Sequence, residues 1–242
     1  MPSPADLPER LDAVLHVIYL VFNEGYSPSG GAEVTHASLS AEAMRLAREL
    51  MTLIDEPELR GLVALLLLHD ARRETRAGAS GEIVLLEDQD RTRWHRDLIA
   101  EGSALVRDAL ATRRIGAFTL QAAIAAVHAE APTAAATDWS EIAGLYDLLL
   151  HADPSPVVHL NRAVAVAMRD GLDAGVVLID ELLARGELVH YRFAHAARAE
   201  LCRRAGRIAE ARESFTRALA LTSAAPERRL LEQRLASVSR GT

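Results

Sequence analysis

The amino-acid sequence predicts an all-α protein, a helical bundle subdomain packed on a short tetratricopeptide-like helical-repeat stack. Apolar residues recur every three or four positions along nearly the whole chain, and no alternating run is long enough for a convincing β-strand. Ser, Thr or Asp precede most of these segments, and Gly or Pro follow them, as expected at the ends of helices. With 242 residues, of which 50% are apolar, the chain can bury a sizeable core.

The first helix is predicted from its capping pattern. Asp6 and Glu9 have the spacing of a capping box, with a proline between them, which predicts a helix over residues 7–22. The segment NEGY at residues 23–26 then has the pattern of a helix C-terminus, in which the glycine adopts the left-handed conformation.

The third predicted helix carries the most apolar segment. A second helix is predicted over residues 37–53, and Pro57 starts the third, which includes the apolar run Leu62–Leu68. Consecutive apolar residues point in all directions around a helix, so this helix must be covered on several sides. We therefore expect it to be the central helix of the N-terminal half.

The segment that follows interrupts the helical period. Residues 77–90 predict a loop, with a short extended piece at Ile83 to Leu86. Helices resume over residues 90–111 and 117–131. We place the boundary of the N-terminal subdomain after residue 131, so that residues 132–242 form the second part.

Residues 132–242 contain an internal repeat. Two segments share a helix, a glycine turn and a second helix, and their turns at Gly171 and Gly206 are 35 residues apart, which is close to the tetratricopeptide period. The last segment, APERRLLEQRL, is predicted to be a capping helix with a polar outer face. The second copy has small residues where helices cross and one large apolar residue between them, namely Ala199, Ala211, Ala218 and Phe215.

The charge of the chain is unevenly distributed. Residues 1–184 carry 15 Arg and 28 acidic residues, whereas residues 185–242 carry 12 Arg and 6 acidic residues, which gives balances of −13 and +6 and a total of −7. An acidic body repels nucleic acid, so we expect no sequence-specific DNA binding by this chain alone. The basic end could face a polyanion or an acidic partner, although a solvated helix surface is the favoured interpretation.

Other classes of protein are disfavoured by what the sequence lacks. The apolar runs are far shorter than the roughly 20 residues of a membrane span, and the first ten residues do not resemble a signal peptide. The single cysteine, Cys202, excludes an internal disulfide framework and is expected to be a small buried side chain. We therefore expect a cytoplasmic protein without membrane contact.

Two charged segments, residues 69–73 and 87–94, flank the expected loop. They could supply ligands for a metal or groups for acid–base catalysis, with His69, Asp70 and Asp88 as candidates. Adjacent helical residues such as His69 and Asp70 diverge by about 100°, however, and no His-x-x-x-His pair is present. We expect no metal, cofactor or enzymatic activity.

The favoured interpretation is a structural joint, and the alternative is a joint that also contacts a partner. Arg72 and Arg73 are each predicted to pair with a carboxylate of residues 87–90, under a covering Trp94. The complete candidate cluster consists of Asn23, Glu24, Tyr26, His69, Asp70, Arg72, Arg73, Glu87, Asp88, Gln89, Asp90, Arg91 and Trp94.

A second candidate surface lies on the repeats. A peptide-binding groove there would be lined by Asn161, Arg162 and Arg198. His16, His128 and His159 are interpreted as ordinary packing or surface residues of helices.

Six segments, taken in order, resemble a known family. They are VIYLVFNEGYSPSG, LVALLLLHDARR, LLEDQDRTRWHRDLIAEG, LQAAIAAVHAEA, TDWSEIAGLYDLL and PSPVVHLNRAVAVAM. Together they resemble the C-terminal extension of a group of bacterial extracytoplasmic-function sigma factors, from about Leu7 to Leu235. In that group, two sigma domains are followed by a helical region and tetratricopeptide-like repeats.

The resemblance implies a role in transcription initiation, through contacts with sigma domains or RNA polymerase. The two DNA-binding domains of these sigma factors precede the extension, and nothing in this chain resembles a recognition helix with its turn. The alternatives are a generic tetratricopeptide-like peptide-binding adaptor and a metal-dependent enzyme that uses His69, Asp70 and Asp88. The partner, the signal and the oligomeric state are left open.

Overall fold

A computed structural model describes residues 7–26 and 36–239, and within them it contains eleven α-helices and no named β-strand. The predicted all-α class is therefore confirmed. The helices are α1 (Leu7–Tyr26), α2 (Ala37–Leu53), α3 (Pro57–Asp70), α4 (Arg96–Ala111), α5 (Ala117–Glu130), α6 (Trp139–Ala152), α7 (Pro156–Asp170), α8 (Leu172–Ala184), α9 (Arg192–Arg204), α10 (Ile208–Ala220) and α11 (Ala225–Ser239).

The chain forms two compact units that divide between Thr137 and Asp138. The first contains α1 to α5, and the second contains α6 to α11. The sequence predicted a boundary after residue 131. The structure places it six residues later, because a short 3₁₀ helix at Ala134–Ala136 belongs to the first unit.

Helix α3 is the centre of the first unit. It contacts α1, α2, α4 and α5, and every side chain from Leu62 to Leu68 is at most 2% exposed. Burial of each leucine contributes about 1.5–3 kcal/mol, so this helix carries much of the stabilisation of the unit. The prediction of a central helix covered on several sides is confirmed.

Helix α1 ends later than predicted. It continues through residues 23–26, because Phe22 and Tyr26 extend its buried face by another turn. Gly25 is therefore inside the helix, and a Cβ at this position would lie 2.5 Å from the backbone nitrogen of Ser40. This glycine permits close approach of the α2 N-terminus and is not a left-handed cap. The predicted capping residue Asp6 lies outside the described residues.

The loop between α3 and α4 also differs in detail from the prediction. An isolated antiparallel bridge joins Ala77 to Ile83, so extended structure begins earlier than residues 83–86. Helix α4 begins at Arg96 and not at Asp90, because the Asp90 side chain accepts hydrogen bonds from Thr92 N at 3.0 Å and Thr92 Oγ1 at 2.6 Å. These bonds cap a separate 3₁₀ turn. The bounds of α2 agree with the prediction, and α5 ends one residue before it.

The predicted helix–glycine turn–helix units are present in the second unit. Gly171 joins α7 to α8 and Gly206 joins α9 to α10, with φ of +114° and +76°. Cys202 is fully buried as expected, and α11 contacts α10 at the end of the chain. The small residues and the phenylalanine predicted at the crossings, Ala199, Ala211, Ala218 and Phe215, are all buried in one core.

The crossing of α3 and α5 provides a stability test. A Cβ at Gly61 would lie 2.5 Å from Thr119 Oγ1 and 2.6 Å from Thr119 N. Since the helix backbones would have to separate, we expect Gly61→Ala to lower the free energy of unfolding by about 1–3 kcal/mol. The matched control is Gly144→Ala, where no atom lies within 4 Å of the new Cβ and a gain of about 0.5–1 kcal/mol is expected. Urea unfolding measures both, and shifts of the same sign would contradict the prediction.

Candidate functional site

The structure brings together four side chains from the last turns of α1 and α3 and from the loop after α3. We name them the arginine–tyrosine cluster: Tyr26, His69, Arg72 and Arg76. The guanidinium carbon of Arg76 lies 3.7 Å from the centroid of the Tyr26 ring, and that of Arg72 lies 5.6 Å from it. The rings of Tyr26 and His69 meet edge to face at 5.0 Å. Arg72 Nη2 lies 3.1 Å from His69 Nδ1.

Local folding explains why these residues meet. Phe22 and Tyr26 are one helical turn apart on the buried face of α1, and their rings stack at 5.6 Å. Helix α3 ends at Asp70, and the turn that follows directs Arg72 and Arg76 back towards the same ring. Three of the four residues were predicted from the sequence. Arg76 was not, although it follows the charged segment 69–73 and could have been found by extending that segment one turn.

The cluster has no carboxylate partner within the part of the chain that the structure describes. Among these residues Arg72 bonds through its side chain to His69 alone, and Arg76 forms neither an ion pair nor a side-chain hydrogen bond. Two buried polar atoms, Arg76 Nε and Tyr26 Oη, have no hydrogen-bond partner. Such atoms are rare in folded proteins, because each loses its hydration without compensation.

The predicted pairing of Arg72 and Arg73 with residues 87–90 is wrong. Arg73 pairs instead with Asp70, three positions earlier, at 3.2 Å. The reason is local, since the turn after α3 places Arg73 next to the last residue of the helix. Arg72 contacts His69 and the Tyr26 ring and not a carboxylate.

A second group does form a structural joint. Trp94 is buried and its Nε1 donates to Thr75 Oγ1 at 3.0 Å, while Arg91 stacks on the Trp94 ring at 4.6 Å. Arg91 Nη1 also donates to the carbonyl oxygens of His128 at 2.5 Å and Ala131 at 2.9 Å. These contacts connect the loop after α3 to the end of α5.

Gln89 completes this joint from within the loop. It is buried, accepts a hydrogen bond from Thr75 Oγ1 at 3.2 Å and donates to the carbonyl oxygen of Val84 at 3.1 Å.

The remaining candidates stay at the surface. Glu24, Glu87, Asp88 and Asp90 are exposed, and Asn23 is half-buried. Across residues 7–26 and 36–239, no three His, Cys, Asp or Glu side chains are placed to hold a metal ion. The exposed Asp88 is thus not gathered with His69 and Asp70 into such a group.

The exposure of the Asp70–Arg73 pair determines how much stability is lost when Asp70 is replaced. The two side chains are 22% and 30% exposed, so water screens the pair and can solvate an arginine left alone. We expect Asp70→Ala to lower the free energy of unfolding by less than about 1 kcal/mol, less than a fully buried pair would lose. Urea unfolding of this variant beside Arg73→Gln is the check, and a loss above about 2 kcal/mol would contradict it.

Burial and nearby cations govern the histidines of this region. Burial first, and then the charges of Arg72 and Arg76, hold the pKa of His69 well below its usual value. Burial, Arg72 and Arg91 lower the pKa of His128 to about 4. Burial likewise lowers the pKa of Arg72. Both imidazoles are therefore neutral near pH 7.

These shifts predict acid sensitivity. A histidine whose pKa is lower in the folded protein binds its proton more readily in the unfolded chain. The free energy of unfolding therefore decreases as pH falls below about 6.5, the pKa of histidine in the unfolded chain. We expect each of His69 and His128 to contribute a loss of about 1 kcal/mol between pH 6.5 and 5.5. Urea unfolding at several pH values measures it. His128→Gln should flatten the dependence, and an unaltered dependence in that variant would contradict the prediction.

The three residues of the predicted groove do not share one set of contacts. Arg162 pairs with Asp147 at 2.5 Å, whereas Arg198 pairs with Asp180 on α8 at 2.5 Å and Glu210 on α10 at 3.1 Å. Asn161 is exposed. Arg198 does line a cavity of about 770 Å³ whose other polar residues include His195, Arg212, Glu213 and Arg217.

Helices α1 and α2 present an exposed apolar surface that sequence analysis did not identify. The exposed fractions are 44% for Val14, 60% for Val17, 40% for Leu46 and 80% for Leu53. A groove of about 520 Å³ between the helices is lined almost entirely by apolar side chains. We call these four residues and the groove the α1–α2 apolar face. The heptad spacing of Leu39, Leu46 and Leu53 was the available sequence signal.

The fold and these surfaces define an all-helical protein with a bundle unit and a unit of paired helices joined by glycine turns. Residues 10–110 match the profile of DUF6596, a family of unknown function. The chain is also similar to Uncharacterized protein R00370 of Rhizobium meliloti (strain 1021), with 47% identity over 235 residues.

That match covers 97% of this chain and 55% of the relative, so the chain spans about half the length of the curated protein it matches. No solved structure matches the chain. Among the described residues, none of the helices combines the length and the apolar character needed to cross a membrane.

Proposed function

We propose that this protein is a regulatory protein-interaction module related to the C-terminal extension of extracytoplasmic-function sigma factors. It acts in the cytoplasm through contacts with sigma domains or RNA polymerase and has no catalytic activity of its own. The α1–α2 apolar face is the observation that carries the proposal. The resemblance of the six sequence segments supports the choice of partner.

The apolar face is suited to a folded protein partner. Soluble monomers rarely expose contiguous apolar patches above a few hundred Å², and larger ones usually mark an interface. Helices α1 and α2 have 20 and 17 residues, so each offers a surface about 25–30 Å long to a partner. At its edge, Arg45 is held between Glu42 and Glu49, which provides the polar rim that such interfaces have.

We assign this face to sigma domains, supplied in the same polypeptide or separately. The match covers 55% of the curated relative, so the remaining 45% of that protein lies outside the region shared with this chain. That length is ample for additional domains. The acidic charge of residues 1–184 argues against DNA as the occupant.

A binding and transcription experiment tests this proposal. Purified sigma domains from the same cell are mixed with the wild type or with a Val17→Glu, Leu53→Glu double variant, and complex formation is measured by size-exclusion chromatography. We expect a complex with the wild type alone. Val177→Glu, at a residue 54% exposed in the second unit, is the control and should still bind. Equal binding by all three proteins would overturn the proposal.

The same material separates a regulatory role from a direct DNA-binding role. Transcripts from core polymerase are expected only when sigma domains are present. In gel shifts, any DNA binding by this chain should weaken steeply between low and physiological salt and show little sequence preference. Salt-resistant, sequence-selective binding, or transcripts made without sigma domains, would contradict it.

A peptide-binding adaptor is the second candidate, because the cavity beside Arg198 has the volume of a ligand site. Its arginines favour an acidic peptide. Arg217→Glu should abolish binding of acidic peptides if this function is correct, while the double variant in the α1–α2 apolar face should not affect it. The two variants therefore distinguish the candidates.

A further inference from the structure

We propose that the arginine–tyrosine cluster is a binding site for a small dianionic oxyanion, the phosphate or carboxylate groups of a metabolite. Arg72, Arg76 and the hydroxyl of Tyr26 would donate the hydrogen bonds. This site is separate from the α1–α2 apolar face and requires no protein partner.

The positive charge of the cluster is not compensated by the described residues. Two guanidinium groups lie 5.6 and 3.7 Å from the centroid of one tyrosine ring, and the described residues provide no carboxylate for either. Both arginines are half-buried, and an arginine that loses part of its hydration is normally paired with an opposite charge. Arg91 adds a third positive charge whose field reaches Arg72. A bound dianion would balance the positive charge of these arginines.

Two donors of the cluster also have no hydrogen-bond acceptor. Tyr26 Oη and Arg76 Nε are buried polar atoms without hydrogen-bond partners, and both can donate. Buried donors without partners are rare, so two of them beside one ring point to an acceptor that binds both. An oxyanion accepts several hydrogen bonds at once and would satisfy them together.

His69 and Tyr26 orient the two guanidinium groups and leave N–H groups of both for a ligand. His69 is held neutral by burial and by the arginines, so its Nδ1 can accept from Arg72 Nη2 at 3.1 Å and orient that guanidinium. Arg76 is oriented by its stacking on Tyr26. The other N–H groups of both arginines remain for a ligand.

Access and selectivity follow from the partial burial. Arg72 and Arg76 are each half-buried, so part of each side chain is in contact with solvent. The planar fork of a guanidinium matches two oxygens of a phosphate or carboxylate.

Isothermal titration with inorganic phosphate and with succinate, at constant ionic strength set by sodium chloride, tests the site. We expect saturable binding of at least one of the two, and a rise in the melting temperature that equal chloride does not produce. Preference for phosphate identifies a phosphorylated ligand, and preference for succinate identifies a carboxylic acid. Both results support an oxyanion site, and no binding of either below about 10 mM overturns it.

Variants of the cluster locate the binding. Arg72→Gln and Arg76→Gln should each weaken it at least tenfold, whereas Arg48→Gln, at an arginine 45% exposed on α2, should leave it unchanged. Tyr26→Phe removes a hydroxyl that has no partner, so this variant should melt at or above the wild-type temperature without ligand and yet bind several-fold more weakly. Unaltered affinity in Tyr26→Phe and Arg76→Gln would overturn the assignment.

Discussion

Phe215→Ala is expected to lower the free energy of unfolding of the second unit by about 3–5 kcal/mol. The phenylalanine is 2% exposed and lies in the same core as Ala199, Ala211 and Ala218 on α9 and α10. Truncation would remove the ring and leave a cavity, because the surrounding small residues belong to close helix crossings that cannot collapse inwards. Urea unfolding followed by far-ultraviolet circular dichroism measures the loss.

The control for this prediction is Phe193→Ala on α9. Phe193 is 41% exposed, so its truncation should cost less than about 1 kcal/mol. Equal effects of the two variants, or a loss below about 1 kcal/mol for Phe215→Ala, would mean that the repeat core does not depend on this residue.

Glu58→Ala is the second large effect we expect, a loss of about 2–4 kcal/mol from the first unit. This carboxylate on α3 accepts from the backbone nitrogens of Gly116 at 3.0 Å, Phe118 at 2.9 Å and Thr119 at 3.2 Å. It also accepts from Thr119 Oγ1 at 2.5 Å. Because these amides form the first turn of α5, the carboxylate caps that helix from another element and interacts favourably with its positive end.

Two variants establish that the effect comes from capping. Glu58→Gln keeps one carbonyl acceptor and the shape of the side chain, and should lose about half as much stability as Glu58→Ala. Glu56→Ala removes a neighbouring carboxylate whose partner Arg114 is 68% exposed, and should cost less than about 1 kcal/mol. A Glu58→Ala loss as small as that of Glu56→Ala would contradict the capping role.

Helix positions could be predicted from the sequence wherever the determinant is local. The bounds of α2, the start of α3 at Pro57 and the turns at Gly171 and Gly206 all depend on residues within a few positions of one another. Proline at the first position of a helix and glycine with positive φ at a turn act through backbone sterics alone. The apolar run of α3 likewise required a buried central helix, whatever its neighbours were.

The candidate site was only partly predictable. Tyr26, His69 and Arg72 were selected from composition and spacing, and they do come together. Their arrangement was not foreseen, since a sequence shows which charges could pair and not which side chains the turns bring within reach. Arg73 found Asp70 one turn away, and this local contact removed it from the pairing expected with residues 87–90.

By itself, the sequence determined an all-helical chain, its repeated helix–turn–helix units and several helix ends of the first unit, because periodicity, caps and turn glycines act over one or two turns. Only the tertiary structure decided that Gly25 serves a helix crossing, that Glu58 caps α5 and that Arg72 and Arg76 share one aromatic ring without a counter-charge. These contacts join residues up to 61 positions apart. Their partners are set by how the helices pack, which depends on many side chains at once and on no single local pattern.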